Sequence, residues 1–301
     1  MRGLLIQQPV INYGPRLVFE AYSCTNANIF STTTLPIDNL RVYINGGLTE
    51  QKANNITCNN GDIVIIDSND SLFPKFAISA SHPHIKSILE PLPTLYDNDQ
   101  TPIKSITFTN SKLTNVCEYL FCNNPQITSL NGCFRASNLT NIPMHLLDQL
   151  INLTSAEIIF EWTGIKQIPN DLFAYSPKLY NLRAAFASCR FLTAVPEKLF
   201  DAQVNVTNLR VHWLFNNCYA LQEVPISLFE NHTGIEYLAG MFNLCTSLIP
   251  IVKIGTTRTV NSADSFAAGC KDKGTVYVRS GTDAYTKFTS STNANVNVLT
   301  Y

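Results

Sequence analysis

Charge is scarce in this sequence of 301 residues: Asp, Glu, Lys and Arg make up 14%, and the formal net charge is −1 with a pI near 6.5. A surface that holds nucleic acid by its phosphates needs a basic stripe, so nucleic acid is not an expected partner. No apolar run approaches the ~20 residues of a membrane-spanning helix, and no membrane insertion is expected. The N-terminus, Met1 to Val10, has one positive charge and a short apolar patch that stops at Gln7. A secretory signal has roughly 7–15 apolar residues and a small-residue cleavage site. The expectation is therefore a chain that reaches a cell exterior as part of a particle or by lysis.

Signatures of catalysis are missing too. His82, His84, His145, His212 and His232 sit in no nucleophile or zinc motif, and neither G-x-S-x-G nor a Walker-type phosphate loop occurs. The expected protein is not an enzyme and has no cofactor. No C-x-x-C pair has a matching second half, which leaves zinc without its usual ligand pairs. Asp62, Asp67 and Asp70 lack the spacing of a calcium loop, and His82-Pro83-His84 lacks a third ligand. They read as turn acids and loop residues, with no metal. The nine cysteines are an odd number and cannot all pair within the chain.

What the sequence does have is repetition between Phe134 and Cys270. Two copies, Phe186 to Phe200 and Phe215 to Phe229, match at seven positions, F-x-x-C-x-x-L-x-x-V-P-x-x-L-F. Looser copies begin at Phe134, Phe160, Phe242 and Phe266, so the leading phenylalanines are 26, 26, 29, 27 and 24 residues apart. A period in the twenties with recurring leucine slots is the mark of a leucine-rich repeat solenoid, whose coils bury their apolar side only by stacking. The apolar runs Leu182–Phe186, Leu209–Phe215 and Ile235–Phe242 are expected to be strands of one parallel ladder. Pro143, Pro169, Pro196 and Pro225 are expected to start short helices, since proline suits the first helical position. The slot of Cys189, Cys218 and Cys245 takes Ser137 and Thr163 in other copies, which points to small, reduced, buried side chains.

The expected fold class is mixed β and α/β: a small N-terminal β-sandwich, a leucine-rich repeat solenoid with short helices, and a C-terminal β cap. The sandwich and attachment domain spans residues 1–82, with strands at Arg16–Tyr22, Leu40–Ile44, Asp62–Ile66 and Phe76–Ser79, separated by turn sequences at Asn45-Gly46-Gly47 and Asn59-Asn60-Gly61. A proline-rich junction follows at 83–102, then the solenoid at 103–260 with an atypical first coil from Ile103. In the cap, 261–301, Lys273–Val278 reads as a strand, Ser280–Phe288 as a helix with Asp283 near its start, and Val296–Leu299 as a final strand.

Residues 103–288 resemble the BspA-type leucine-rich repeats of gut Bacteroidales surface proteins and their phages. The repeat motif carries the resemblance, together with the closing G-T-V-Y-V and A-Y-x-K-F at Gly274 to Phe288. The region ending in Leu72-Phe-Pro-Lys-Phe76 resembles the β-sandwich that precedes such repeats. The resemblance implies an adhesion or recognition module without catalytic residues.

Solenoids bind with their ladder face. There Glu157, Arg183, Arg210 and Glu236 each follow the first apolar residue of a strand, so opposite charges are expected to stack in pairs, Glu157 with Arg183 and Arg210 with Glu236. Such a row reads either as a surface salt-bridge ladder, worth ~0–1 kcal/mol per exposed pair, or as a recognition strip joined by Trp162, His212, Trp213 and Tyr237. Aromatic and arginine side chains supply interface hot spots and stack on sugars. Trp213, in the 29-residue coil, is equally open to a core reading. The expected function is a phage virion component, whether fibre, head decoration or tail protein. Its repeats would bind a host-surface glycan or protein, and its N-terminal domain would hold other virion proteins; a homo-oligomer is the expected assembly, a trimer by analogy if the protein is a fibre. A bacterial cell-surface adhesin is the alternative, and an intracellular scaffold a third reading.

Overall fold

The computed structural model describes residues 15–30, 37–69, 72–76 and 84–301. Its first strands are β1 (Arg16–Ala21), β2 (Cys24–Ala27), β3 (Leu40–Ile44), β4 (Gly47–Leu48), β5 (Ile56–Cys58), β6 (Ile63–Ser68), β7 (Phe73–Pro74), β8 (Ile85–Ile88), β9 (Leu95–Tyr96) and β10 (Asn115–Val116). Six of them make one sheet in the order β10-β8-β1-β6-β3-β4, antiparallel throughout except for the parallel β10–β8 pair. The residues Asn45 and Gly46 close the β3–β4 hairpin with φ of 51° and 85°, the left-handed conformation that a two-residue turn between twisted strands demands. The pairs β2–β5 and β7–β9 are separate two-stranded ribbons. One sheet and two ribbons thus occupy the place of the expected sandwich among the described residues. The expected strand Phe76–Ser79 falls mostly outside them, as do Asp70 and His82.

Beyond β10 the chain is a β-solenoid of stacked parallel coils. Single-residue parallel bridges run from Ser105 through Ser129, Ser155 and Asn181 to Arg210, and resume from Tyr237 to Ser262. Extended strands are few here: β11 (Leu209–Arg210), β12 (Ile235–Tyr237) and β13 (Ile251–Ile254). The rest of the expected ladder is built from turns. Two residues before each leading phenylalanine, and two after it, the backbone is left-handed. The first column holds Gly132, Ile158, Ala184, Trp213 and Gly240, the second Ala136, Trp162, Ser188, Asn217 and Leu244, with φ of 48–61°. Each of these residues donates its N–H to the next coil, as Trp162 does to Ala187 at 3.0 Å and Trp213 to Ala239 at 2.9 Å. The leading phenylalanine donates across as well, as Phe134 does to Ile159 at 2.9 Å, while the residues on either side of it donate to their own coil three residues back, as Arg135 does to Gly132. A left-handed non-glycine residue costs about 1–2 kcal/mol, and the cross-coil hydrogen bonds offset that cost.

The same columns locate the register at the last coil. Left-handed Ser265 and Gly269 flank Ala267, so Ala267 and not Phe266 stands in the leading position, and the final repeat is 25 residues long from Phe242. Phe266, one place early, meets Phe242 edge-on at 87°. The earlier rings stack face to face: Phe134–Phe160, Phe160–Phe186, Phe186–Phe215 and Phe215–Phe242 have centroids 5.5–5.8 Å apart and planes within 17°. Phe108 and Phe76 continue this column towards the N-terminal sheet, and Phe288 ends it. A second column, Phe173, Phe200 and Phe229, runs beside it at 5.3–6.0 Å.

The expected helices after Pro169, Pro196 and Pro225 are runs of turns: Leu172, Leu199 and Leu228 donate back to the proline carbonyl, and Ala174, Asp201 and Glu230 to Asp171, Lys198 and Ser227, with a short 3-10 helix, Asp201–Gln203, ending the second run; the segment after Pro143 is likewise turn. A helix nucleus fixes several residues for its first bond, and the bonds of these segments reach three residues back, so the four-residue ladder of an α-helix is not established in them. Their Leu-Phe pairs are nevertheless buried as the repeat requires. The cysteine slot has a defined use: the thiols of Cys189, Cys218 and Cys245 donate to the carbonyls of Phe160, Phe186 and Phe215 at 3.1–3.2 Å, and Thr163 reaches the Phe160 carbonyl at 2.7 Å. Burial pushes the Cys189 thiol up to about 12 and those of Cys218 and Cys245 well above 9. All nine cysteines are free.

The end of the stack is a three-stranded parallel sheet in which β13 pairs with β14 (Gly274–Val278) and β14 with β15 (Val296–Thr300). The helix α1 (Asp283–Ser290) crosses between the last two, and Asp283 accepts a bond from the Val260 N–H at 3.0 Å. Phe186 is fully buried between stacked neighbours, so Phe186→Ala is expected to cost about 3–5 kcal/mol. Amide exchange should rise mainly in its own and the adjacent coils, because solenoid repeats are coupled chiefly to their neighbours. Uniform loss of protection along the chain would contradict that.

Candidate recognition face

The outer face of the turns carries the side chains picked out in the sequence, in a register that differs from the expected one. Three residues before the leading phenylalanine stand Asn131, Glu157, Arg183 and His212, one per coil; five before it stand Ser155, Asn181, Arg210 and Tyr237. The Glu157 carboxylate accepts from the Arg183 guanidinium at 2.5 Å and from the Asn181 amide at 2.9 Å. The first expected charge pair is therefore present. The second is not: Glu236 bonds to Arg258 of the following coil at 2.9 and 3.0 Å, and Arg210 belongs to a different column from Arg183. Leu182 is matched by Val211, not Leu209, so counting from the first apolar residue misaligned the two strands.

Of the three residues by which the 29-residue coil exceeds the coil before it, one lies between Cys189 and Leu192 and two lie between Phe200 and Leu209, where the side chain of buried Gln203 bonds to the carbonyls of Phe173 and Ser176. The insertion is absorbed away from the turn face, and Trp213 keeps its place there, 40% exposed. Its indole lies over Gly240, where an added Cβ would sit 2.2 Å from the ring.

Two aromatic and guanidinium stacks result. In the first, the Arg210 guanidinium lies between Tyr180 and Tyr237, at 5.8 and 5.5 Å from their ring centroids. His212 contacts both Trp213 and Tyr237 at 5.3–5.4 Å, and Arg183 lies 4.7 Å over the Trp213 ring. In the second, Arg190 lies between Trp162 at 4.9 Å and Tyr219 at 5.6 Å. A shallow depression beside this stack is lined by Trp162, Thr163, Gly164, Ser188, Arg190 and Phe191, among others. The structure thus brings Glu157, Arg183, Arg210, His212, Trp213 and Tyr237 into one cluster. Trp162 stands in the other stack, and Glu236 is engaged with Arg258.

Tyr180, Arg190 and Tyr219 escaped the sequence reading. Arg190 and Tyr219 each follow the cysteine slot directly, a position filled by Asn138, Gly164 and Thr246 elsewhere. That position lies outside the apolar runs in which the face was sought.

Electrostatics tie these groups together. Burial depresses His212 to about 4, with the positive charge of Arg183 adding to the effect, so the imidazole is neutral at physiological pH. Burial raises Glu157, but the hydrogen bonds from Asn181 and Arg183 outweigh it and leave the carboxyl below its usual range. Elsewhere the acids have structural partners: buried Asp67 accepts two bonds from Arg41 at 2.6 and 2.9 Å, and the Asn59 N–H and the Asn45 amide hold Asp62 low. Among the described residues no group of three His, Cys, Asp or Glu side chains is placed to hold a metal ion. No helix among them is long and apolar enough to cross a membrane. No protein-family model matches the chain, and no curated protein is significantly similar to it.

The depressed His212 gives a pH test. As pH falls below 6.5 the unfolded chain takes up a proton that folded His212 refuses, so stability is full above that value and declines until His212 itself protonates near pH 4. Half-exposure screens the group, which limits its share to about 1 kcal/mol. His212→Gln should therefore flatten part of the fall in denaturation midpoint between pH 6.5 and 4, with His232, depressed by burial, supplying a remainder. An unchanged profile would contradict this placement of His212.

Proposed function

We propose that this chain is a non-catalytic recognition protein whose turn face binds a host-surface glycan or protein. The observation that carries the reading is the pair of exposed stacks, Trp162–Arg190–Tyr219 and Tyr180–Arg210–Tyr237. Aromatic rings and guanidinium groups on a solvent-facing surface are what interfaces use as anchors, because they offer large contact area at low conformational cost. Here they sit on a stacked scaffold whose backbone is hydrogen-bonded from coil to coil, so the groups are presented with little entropy left to lose. The resemblance to BspA-type leucine-rich repeats supports the same reading; the setting proposed for it is a phage virion, with the N-terminal region, a sandwich by that resemblance, attached to the particle. A homotrimer fits that setting by analogy. A Bacteroidales cell-surface adhesin is the alternative with the same face in use.

Immunogold labelling of virions and producing cells in one lysate separates the two settings: label at fixed positions on particles supports the virion, and label on envelopes alone supports the adhesin. For the face itself, Trp162→Ala combined with Tyr219→Ala should lower adsorption of the purified protein to Bacteroidales cells about tenfold or more, the loss expected of anchor residues. Stability should change by no more than about 1 kcal/mol, since the rings are surface-exposed. Adsorption unchanged by this variant, and equally unchanged by Arg210→Gln with Tyr237→Ala, would rule out the turn face.

A further inference from the structure

The described arginines divide by partner. Arg16, Arg41, Arg135, Arg183 and Arg258 each hold a carboxylate, and Arg279 bonds to the Glu230 carbonyl. Arg190 and Arg210 have neither. Each lies between two aromatic rings, and the Nε of Arg210 is buried without a hydrogen-bond partner. Two carboxylates of the same face are committed elsewhere, Glu157 to Arg183 and Glu236 to Arg258. On a protein of net charge −1, two uncompensated guanidinium groups on one face are a selective feature. A guanidinium backed by aromatic faces keeps its N–H edge for a planar anion, which it can grip with two parallel bonds.

We infer that the ligand of this face is an acidic glycan, with sugar carboxylates taken by Arg210 and Arg190 while pyranose rings pack on Tyr180 and Trp162. This rests on the recognition reading above and narrows it to a ligand class. The rings decide for a sugar over an acidic peptide. Tyr180 is 37% and Trp162 51% exposed beside each guanidinium, and an acidic pyranose carries an apolar C–H face and a carboxylate on the same ring. The neutral imidazole of His212 beside Arg183 adds a polar group able to serve a hydroxyl.

The test uses the full chain against polygalacturonate and hyaluronan, each compared with its carboxyl-reduced, neutral counterpart, and against poly-glutamate. Binding to an acidic polysaccharide should fall at least tenfold on carboxyl reduction, and also for Arg210→Gln and for Tyr180→Ala, with melting temperatures unchanged. Equal binding to the reduced polymer would overturn the acidic ligand and leave the recognition face standing. Poly-glutamate bound as tightly, with no loss in Tyr180→Ala, would show charge attraction alone and overturn the sugar. No binding to any of these polymers, with cell adsorption still lost in the Trp162 and Tyr219 double variant, would also overturn it in favour of another surface ligand. No loss of adsorption either would remove both readings.

A different observation carries a second site. Cys24 and Cys58 are direct partners across the antiparallel β2–β5 pair, and their sulfurs are 3.2 Å apart. We propose that they form a reversible disulfide in an oxidising medium. With oxidised glutathione as the oxidant, the more exposed Cys24 thiolate attacks one of its sulfurs and releases one reduced glutathione. The Cys58 sulfur then attacks Cys24 Sγ and releases the second, so two protein thiols are oxidised and one glutathione disulfide is reduced. Tryptic mapping after blocking free thiols should recover the Cys24–Cys58 peptide pair, lighter by two hydrogens, and Cys58→Ser should abolish it. Failure to link under excess oxidised glutathione, or linking of Cys117 to Cys122 to the same extent, would overturn the assignment.

Discussion

The structure depends on one spacing. Hydrogen bonds between parallel backbones hold coils at about 4.8 Å, and a phenylalanine placed once per coil then has its neighbour's ring at 5.5–5.8 Å with almost parallel planes. Stacked rings in turn fix the rotation of each coil on the last, because a small slip would break the contact on both faces at once. The left-handed residues on either side of the phenylalanine are affordable only in that frame, since each relies on a carbonyl of the next coil for its N–H. The thiol slot serves the same end, reaching the phenylalanine carbonyl of the preceding coil. Backbone, ring column and cysteine column are therefore one cooperative arrangement.

Where the arrangement departs from period, the departures are small and locally absorbed. The two-residue insertion after Phe200 is held by the Gln203 side chain on the far side of the coil. The one-residue shift at Phe266 turns a face-to-face contact into an edge contact and delivers the stack to α1, where Phe288 closes it at 5.0 Å. The turn face stays continuous through both. That continuity lets side chains from different coils, such as Tyr180, Arg210 and Tyr237, act together.

The polarity of that face is unusual in kind more than in amount. The carboxylates of the described residues on it are consumed by neighbours, the imidazole of His212 is kept neutral, and the arginines left over lie against aromatic rings instead of acids. On the recognition reading proposed above, a face of this type would take planar anions and flat apolar rings rather than act by bulk electrostatic attraction, in keeping with the low charge content of the chain.

Much of the interior was legible in the residues alone. The period, the buried Phe, Leu and Cys columns, the C-terminal strand, helix and strand, and the hairpin at Asn45-Gly46 all follow from local pattern, because apolar side chains recur where each coil must be covered and turn residues stand where φ is positive. The turn geometry was not legible: Ile158, Ala184, Trp162 and Leu244 are not residues that announce a left-handed backbone, and only the neighbouring coil's carbonyls hold them there. Nor was the partner of each charge. The sequence by itself determined that coils stack and which side chains fill them, since burial is decided within one repeat. Which arginine meets a carboxylate and which meets a ring was decided by the tertiary structure, because those neighbours come from adjacent coils and a shift of two residues in register exchanges them.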